Sequence, residues 1–287
     1  MRNIAKNIKI VYIRYYLPAM KIVNLSHVHE RQYFCCLEDW SNEIRDAGDH
    51  KECWYAKMKD KGLRVKIAEN DKGEACGMIQ YLPVEISSVE GHDLYFVLCI
   101  WVHGHRQGIG NFQKKGLGKS LLQAAEADVR QLGGKGLVTW GIILPFFMRA
   151  WWYKKQGYKV VDKSGMMRLL WKPFTTDAVP PSFMKEKELP GLVPGKVNVT
   201  VFMNGWCPSQ NMVYERTKRA VFEFQDKIEF NVYHTVDHEI LKYWGISDAL
   251  FIDGKRIWTG PPPSYRKIHR LIEGRVKKLR EPVMISV

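Results

Sequence analysis

Two hydrophobic periods alternate along the chain. Runs in which apolar and β-branched residues recur at every or every second position predict strands at Lys21–Asn24, Leu63–Glu69, Ala75–Leu82 and Leu94–His103. The last of these, LYFVLCIWVH, is the richest in aromatic and branched side chains. Helical spacing predicts helices over His27–Asn42, Asp49–Lys59, Gly116–Leu132 and Phe146–Gln156, with further strands at Gly136–Gly141, Lys159–Asp162 and Met166–Trp171. In the third helix Leu117, Leu121, Ala124, Ala125 and Leu132 make one apolar face. The order is mixed α/β.

Periodicity lapses over Pro173–Lys196, which carries five prolines and two glycines and reads as a linker. With the linker taken as 175–196, the pattern resumes in a smaller α/β unit over 197–287. That unit reads as strand, tight turn with a cysteine, amphipathic helix, strand IEFNVYHT, and a short helix at His238–Tyr243. A hairpin turning at Asp253–Gly254 and a last helix over Tyr265–Leu279 follow. Met20 opens a strand-then-helix pattern, so 1–19 reads as an extension ahead of a first domain at 20–174.

A chain of 287 residues with 46% apolar content supports two packed cores. No apolar run is long enough for a membrane helix or a signal peptide, and the six cysteines show no C-x-x-C pair or zinc spacing. A cytoplasmic protein without membrane or metal site is expected, with adjacent Cys35 and Cys36 packing on a helix. The net charge of +14 is spread along the chain, so no nucleic-acid face is expected, but a small polyanion is a suitable partner. The oligomeric state stays open, a homo-oligomer being one option.

The stretch NFQKKGLGKSLLQ carries the most specific chemistry. Its GLGKS ending resembles a nucleotide P-loop, but the first glycine of that motif would have to stand where Gln113 does. The other frame, Gln113-Lys114-Lys115-Gly116-Leu117-Gly118, is Q-x-x-G-x-G between a strand and a helix. There glycines admit a pyrophosphate, helix N–H groups face it, and Lys114, Lys115, Lys119 and Ser120 surround it. HRQGIG at His105–Gly110 has similar glycine spacing but precedes no helix. The preferred frame, the strand order around it and Y-x-x-x-G-Y at Tyr153, Gly157 and Tyr158 resemble the GNAT acetyltransferase superfamily over Lys21–Phe174.

The resemblance implies an α/β GNAT acyl-CoA fold with a mixed central sheet, acetyl-CoA as co-substrate, and direct attack on the thioester by a primary amine. It implies that Gln113 to Ser120 hold the pyrophosphate, and that the main chain of the preceding strand, around Cys99, Ile100, Trp101 and Val102, splays from its neighbour to pair with pantetheine. Tyr153 would be the general acid for the leaving thiolate; Glu85 and His103 are the candidate bases, with a water relay as their substitute. A polycationic acceptor is disfavoured by the basic first half, an inference that a local acidic pocket would reverse. The loop between Val102 and Gln113 is longer than the family's, and the asparagine common after the following strand is absent, with Gly141 and LPFF in that region.

In the second half, WCPSQN at Trp206–Asn211 is similar to the W-C-x-x-C turn of thioredoxin-like folds, with Gln210 in place of the second cysteine. The tail YWGISDALFIDGKRIWTGPPPSYRKI resembles a YoaP-like segment. A helix N-terminus would lower the pKa of Cys207 and favour its thiolate, making it the candidate reactive thiol. The alternative to an enzyme is an acyl-CoA-binding sensor, or a thiol-reactive protein acting through Cys207.

Overall fold

The computed structural model describes residues 20–145 and 147–279; the expected 1–19 extension lies outside them. In chain order the first half runs β1 (Lys21–Asn24), α1 (His27–Phe34), α2 (His50–Met58), β2 (Arg64–Glu69), β3 (Ala75–Pro83), β4 (Val89–Glu90) and β5 (Leu94–Val102). It continues through α3 (Leu117–Gln131), β6 (Gly136–Ile142), α4 (Ala150–Lys155), β7 (Lys159–Ser164) and β8 (Met167–Pro173). After β9 (Ser182–Phe183) come β10 (Val197–Met203), α5 (Pro208–Phe222), β11 (Ile228–His234), α6 (His238–Trp244), β12 (Ala249–Ile252), β13 (Lys255–Ile257) and α7 (Tyr265–Val276).

The first half is built on a seven-stranded sheet in the order β1-β2-β3-β5-β6-β8-β7. Only β5 and β6 run parallel, so the sheet is mixed as expected. One face packs against α1 and α2 through Tyr33, Trp54 and Met58; the other receives α3 and α4 through Leu121, Leu122, Val129 and Tyr153. The second sheet has the order β11-β10-β12-β13, with β10 and β11 parallel. It buries Val199, Val201 and Leu250 against α5 and α7.

Three sequence expectations need correction. The helix expected over His27–Asn42 stops at Phe34 because Cys36 and Leu37 adopt left-handed φ of 52° and 67°. The Leu37 N–H then reaches back to Gln32 O at 2.7 Å, closing the helix as glycine usually does. Cys35 and Cys36 therefore form the exit turn of the helix. The helix expected from Phe146 begins at Ala150, because Met148 is held by β6: its carbonyl accepts from Ile142 N–H at 2.8 Å.

The proline-rich segment connects the two sheets but is pinned along its length. β9 pairs antiparallel with β4, Phe183 N–H donates to Asp162 Oδ2 at 2.8 Å, and Lys187 N–H donates to Trp244 O at 3.1 Å. Prolines withdraw donors from the segment, so neighbouring residues on either side of them carry these bonds.

Candidate active site

The central feature is a fork in the first sheet. Pairing of β5 with β6 runs from Leu94↔Gly136 to Val97↔Thr139 and stops there, although β5 continues to Val102 and β6 to Ile142. Beyond that point each strand keeps only its outer partner, β5 with β3 and β6 with β8. The cause is local: Gln80 faces Cys99 and Tyr81 faces Val97, so Leu98 is an extra residue on β5. Such a bulge bends its strand and raises its twist, which peels β5 away from β6. The splay expected from the sequence therefore lies at Cys99, Ile100, Trp101 and Val102.

Two β5 carbonyls in the fork already have side-chain donors. Trp140 Nε1–H donates to Leu98 O at 2.8 Å, and Gln113 Nε2–H donates to Val102 O at 3.2 Å. Trp101, Trp140 and Phe147 gather at the fork, with the Phe147 ring 6.0 Å from each indole. The buried Trp101 Nε1–H has no hydrogen-bond partner among the described residues. Trp140 and Phe147 escaped the sequence reading; the signal was the large indole in GLVTWG, a strand otherwise built of small and branched residues.

The glycine loop folds beside the fork. Gly116 caps α3 at φ 84°, and a Cβ built on it would meet nothing within 4 Å, so the loop is open on that side. No side chain caps α3 and its first turn has no acidic residue, which leaves the N–H groups of Leu117, Gly118 and Lys119 for an anion. Gln113, Lys114, Lys115, Lys119 and Ser120 are exposed around it, whereas the Leu117 side chain is buried, so that residue offers only its main chain. The lower part of α3 is anchored by Asp128, whose carboxylate accepts from Arg64, Lys66 and Tyr81 at 2.6–2.9 Å. The residues present fit a pyrophosphate: donors, cations and space coincide.

Tyr153 is fully buried, and its hydroxyl donates to Met148 Sδ at 3.3 Å. Burial pushes the phenol far up, so it holds its proton throughout the working range of pH.

Neither candidate base survives. His103 is fully buried; its Nε2 accepts from Trp40 Nε1–H at 3.0 Å and its Nδ1–H donates to Gly110 O at 2.7 Å, so both nitrogens are used. Its role is to fold the long loop back onto Trp40, which also accounts for HRQGIG. Glu85 lies past Pro83, which faces Tyr95, and it accepts from Asp93 N–H at 2.8 Å. At about 3.3 Å per residue, Trp101 lies roughly 20 Å along β5 from there.

Cys207 caps α5 on the turn that docks against the first half, where Trp206 packs into the same core as Trp54 and Cys99. The lowered pKa expected from the helix terminus is reversed. Burial, with the nearby Cys36 adding to it, pushes the thiol up to about 12 against the opposing hydrogen bonds from Gln210 and Ser209 N–H. Among the described residues no cluster of His, Cys, Asp and Glu is arranged to hold a metal ion, and no helix is long and apolar enough to cross a membrane.

Residues 25–158 match the model of the acetyltransferase (GNAT) family. Among solved structures, an acetyltransferase of the GNAT family from Staphylococcus aureus Mu50 is similar over 55% of this chain and 100% of its own, at 15% identity and a TM-score of 0.42. The GNAT family N-acetyltransferase YhbS from Escherichia coli, in complex with CoA, is similar over 58% and 90%, at 12% identity and 0.42. A GNAT family acetyltransferase from Brucella melitensis, in complex with acetyl-CoA, is similar over 56% and 92%, at 21% identity and 0.37. No curated protein matches the chain.

Proposed function

We propose, from the match of residues 25–158 to the acetyltransferase (GNAT) family, that the protein transfers the acetyl group of acetyl-CoA to a primary amine. The observation that carries this reading is the fork between β5 and β6 with the uncapped N-terminus of α3 beside it. Bound acetyl-CoA supplies an activated thioester. The N–H groups of Leu117, Gly118 and Lys119, with Lys114, Lys115 and Ser120, hold its pyrophosphate, and the main chain of Cys99 to Val102 lines the pantetheine arm.

The amine nitrogen attacks the thioester carbonyl, and the unpartnered Trp101 Nε1–H is the donor available to the oxyanion. The C–S bond then breaks, Tyr153 gives its hydroxyl proton to the leaving sulfur, and water takes the proton lost by the amine and returns one to Tyr153, so that the phenol is neutral for the next turnover. With Glu85 and His103 both engaged elsewhere, the free-base fraction of the acceptor sets the rate. Turnover is expected to rise with pH until the acceptor amine is fully deprotonated.

We read 20–174 as the catalytic domain of a cytoplasmic protein, 175–196 as its connector and 197–287 as a thioredoxin-like module with a YoaP-like tail. The strand–turn–helix carrying Cys207 and the parallel β10–β11 pair support that reading of the second half.

Calorimetric titration of acetyl-CoA and ATP into the full chain, beside Gly116→Glu, tests the site. Saturable acetyl-CoA binding that ATP does not share and the variant loses is expected; a folded protein that binds no acetyl-CoA would overturn the reading. In Tyr153→Phe, turnover is expected to fall at least tenfold with acetyl-CoA affinity kept. A wild type that binds acetyl-CoA but transfers to no amine would instead be a sensor.

A further inference from the structure

Where α1, the turn over 43–49 and the start of α2 meet the first turn of α5, the two halves line an open cleft of about 420 Å³. That size suits a small molecule. Its wall runs against the charge of the chain: Glu30, Asp49 and Glu52 contribute three carboxylates, opposed by the single guanidinium of Arg31. Ion pairs nearby, His29–Glu69, His50–Glu215 and Arg216–Asp46, use other acids. Phe34 and Ile44 supply an apolar stretch between the charges.

A second, independent feature of the same wall asks for a hydrogen-bond donor. Asn211 is fully buried, and its Nδ2–H donates to Gly205 O at 2.9 Å, which fixes the amide orientation. Its Oδ1 has no partner among the described residues, a state that native interiors seldom tolerate. The positive end of α5 does not compete, because Pro208 has no N–H and those of Gln210 and Asn211 donate to Cys207 O at 3.0 Å.

We propose that this cleft binds a short aliphatic diamine in its diammonium form, one ammonium among the carboxylates, the methylenes on Phe34 and Ile44, and an N–H donated to Asn211 Oδ1. The proposal concerns binding alone, so it stands whether or not acetyl transfer occurs. Isothermal titration of 1,4-diaminobutane into the full chain at pH 7.5 and 0.15 M salt tests it, with uncharged 1,4-butanediol as the control. One saturable site for the diamine and none for the diol is expected. The double variant Glu30→Gln/Glu52→Gln, on positions outside the core, is expected to weaken binding at least fivefold, and Asn211→Leu, checked for folding by circular dichroism, to weaken it about tenfold. Absence of saturable diamine binding by the folded wild type, or equal affinity in wild type and double variant, would overturn the proposal.

Discussion

Asp128 shows how a single side chain anchors the lower part of α3 to the sheet. Burial alone would raise its carboxyl, but hydrogen bonds from Arg64, Lys66 and Tyr81 together outweigh that and hold it at about 2. Because the folded value lies below the unfolded one of about 3.9, the stabilisation is present above the unfolded value and is lost as pH falls through about 2. Asp128→Asn is expected to cost about 1–2 kcal/mol at pH 7, after allowance for screening at the edge of the core, and only a small part of that near pH 2. Urea unfolding at the two pH values checks this; an equal loss at both would assign the effect to packing. Cys207 gives the opposite lesson. With its thiol pushed up to about 12, roughly one molecule in ten thousand is thiolate at pH 8. Iodoacetamide should therefore modify exposed Cys53 at least tenfold faster, as read by peptide mass mapping. Tyr153 entered the sequence reading only through the resemblance of Y-x-x-x-G-Y to the family's signature, and its full burial on α4 is visible only in the fold. The engagement of His103 and the raised thiol of Cys207 depend in part on residues far away in sequence, Trp40 and Cys36, and no local pattern carries that information.

At the level of elements, the placement of Tyr153 depends on how closely α4 approaches β6. A Cβ on Gly141 would stand 2.8 Å from the Ala150 main chain, so only glycine admits the helix that carries Tyr153. Gly141→Ala is expected to push α4 outward at a cost of about 1–3 kcal/mol and to lower turnover severalfold. Acetyl-CoA affinity should hold, because the anion loop sits on α3 rather than α4; thermal unfolding and steady-state kinetics on the same sample separate the effects. Parallel loss of affinity would mean that α3 moves with α4. The strands were legible because their two-residue or fully apolar patterns are long. The end of α1 was not, since non-glycine residues at left-handed φ are rare and Cys36 and Leu37 carry no turn signature. The Leu98 bulge was hidden as well, because an extra residue within an apolar run leaves the run apolar.

The two halves are joined by more than the connector, and their junction forms the proposed amine cleft. Arg216 of α5 is buried, with its guanidinium donating to Asp46 Oδ2 at 3.2 Å and to Pro263 O at 3.1 Å. Arg219 adds a second bond to Asp46 at 3.3 Å, and His50 Nε2 lies 2.8 Å from Glu215 Oε1. A buried cation robbed of its partner is far costlier than the intact pair is stabilising. Asp46→Ala should therefore weaken the junction by about 3 kcal/mol although Asp46 itself is only half-buried. The expected readouts are a calorimetric trace that resolves into two transitions and faster trypsin cleavage within 175–196, whose hydrogen bonds to both halves now protect it. Adding Arg216→Met removes the orphaned charge and should restore part of the loss, whereas strictly additive losses would show that the two residues do not act as a pair. Because Pro208 and Asn211 sit on the first turn of the same helix that Arg216 anchors, diamine affinity should fall in Asp46→Ala and recover in the double variant. Docking and ligand binding would then be two measurements of one junction.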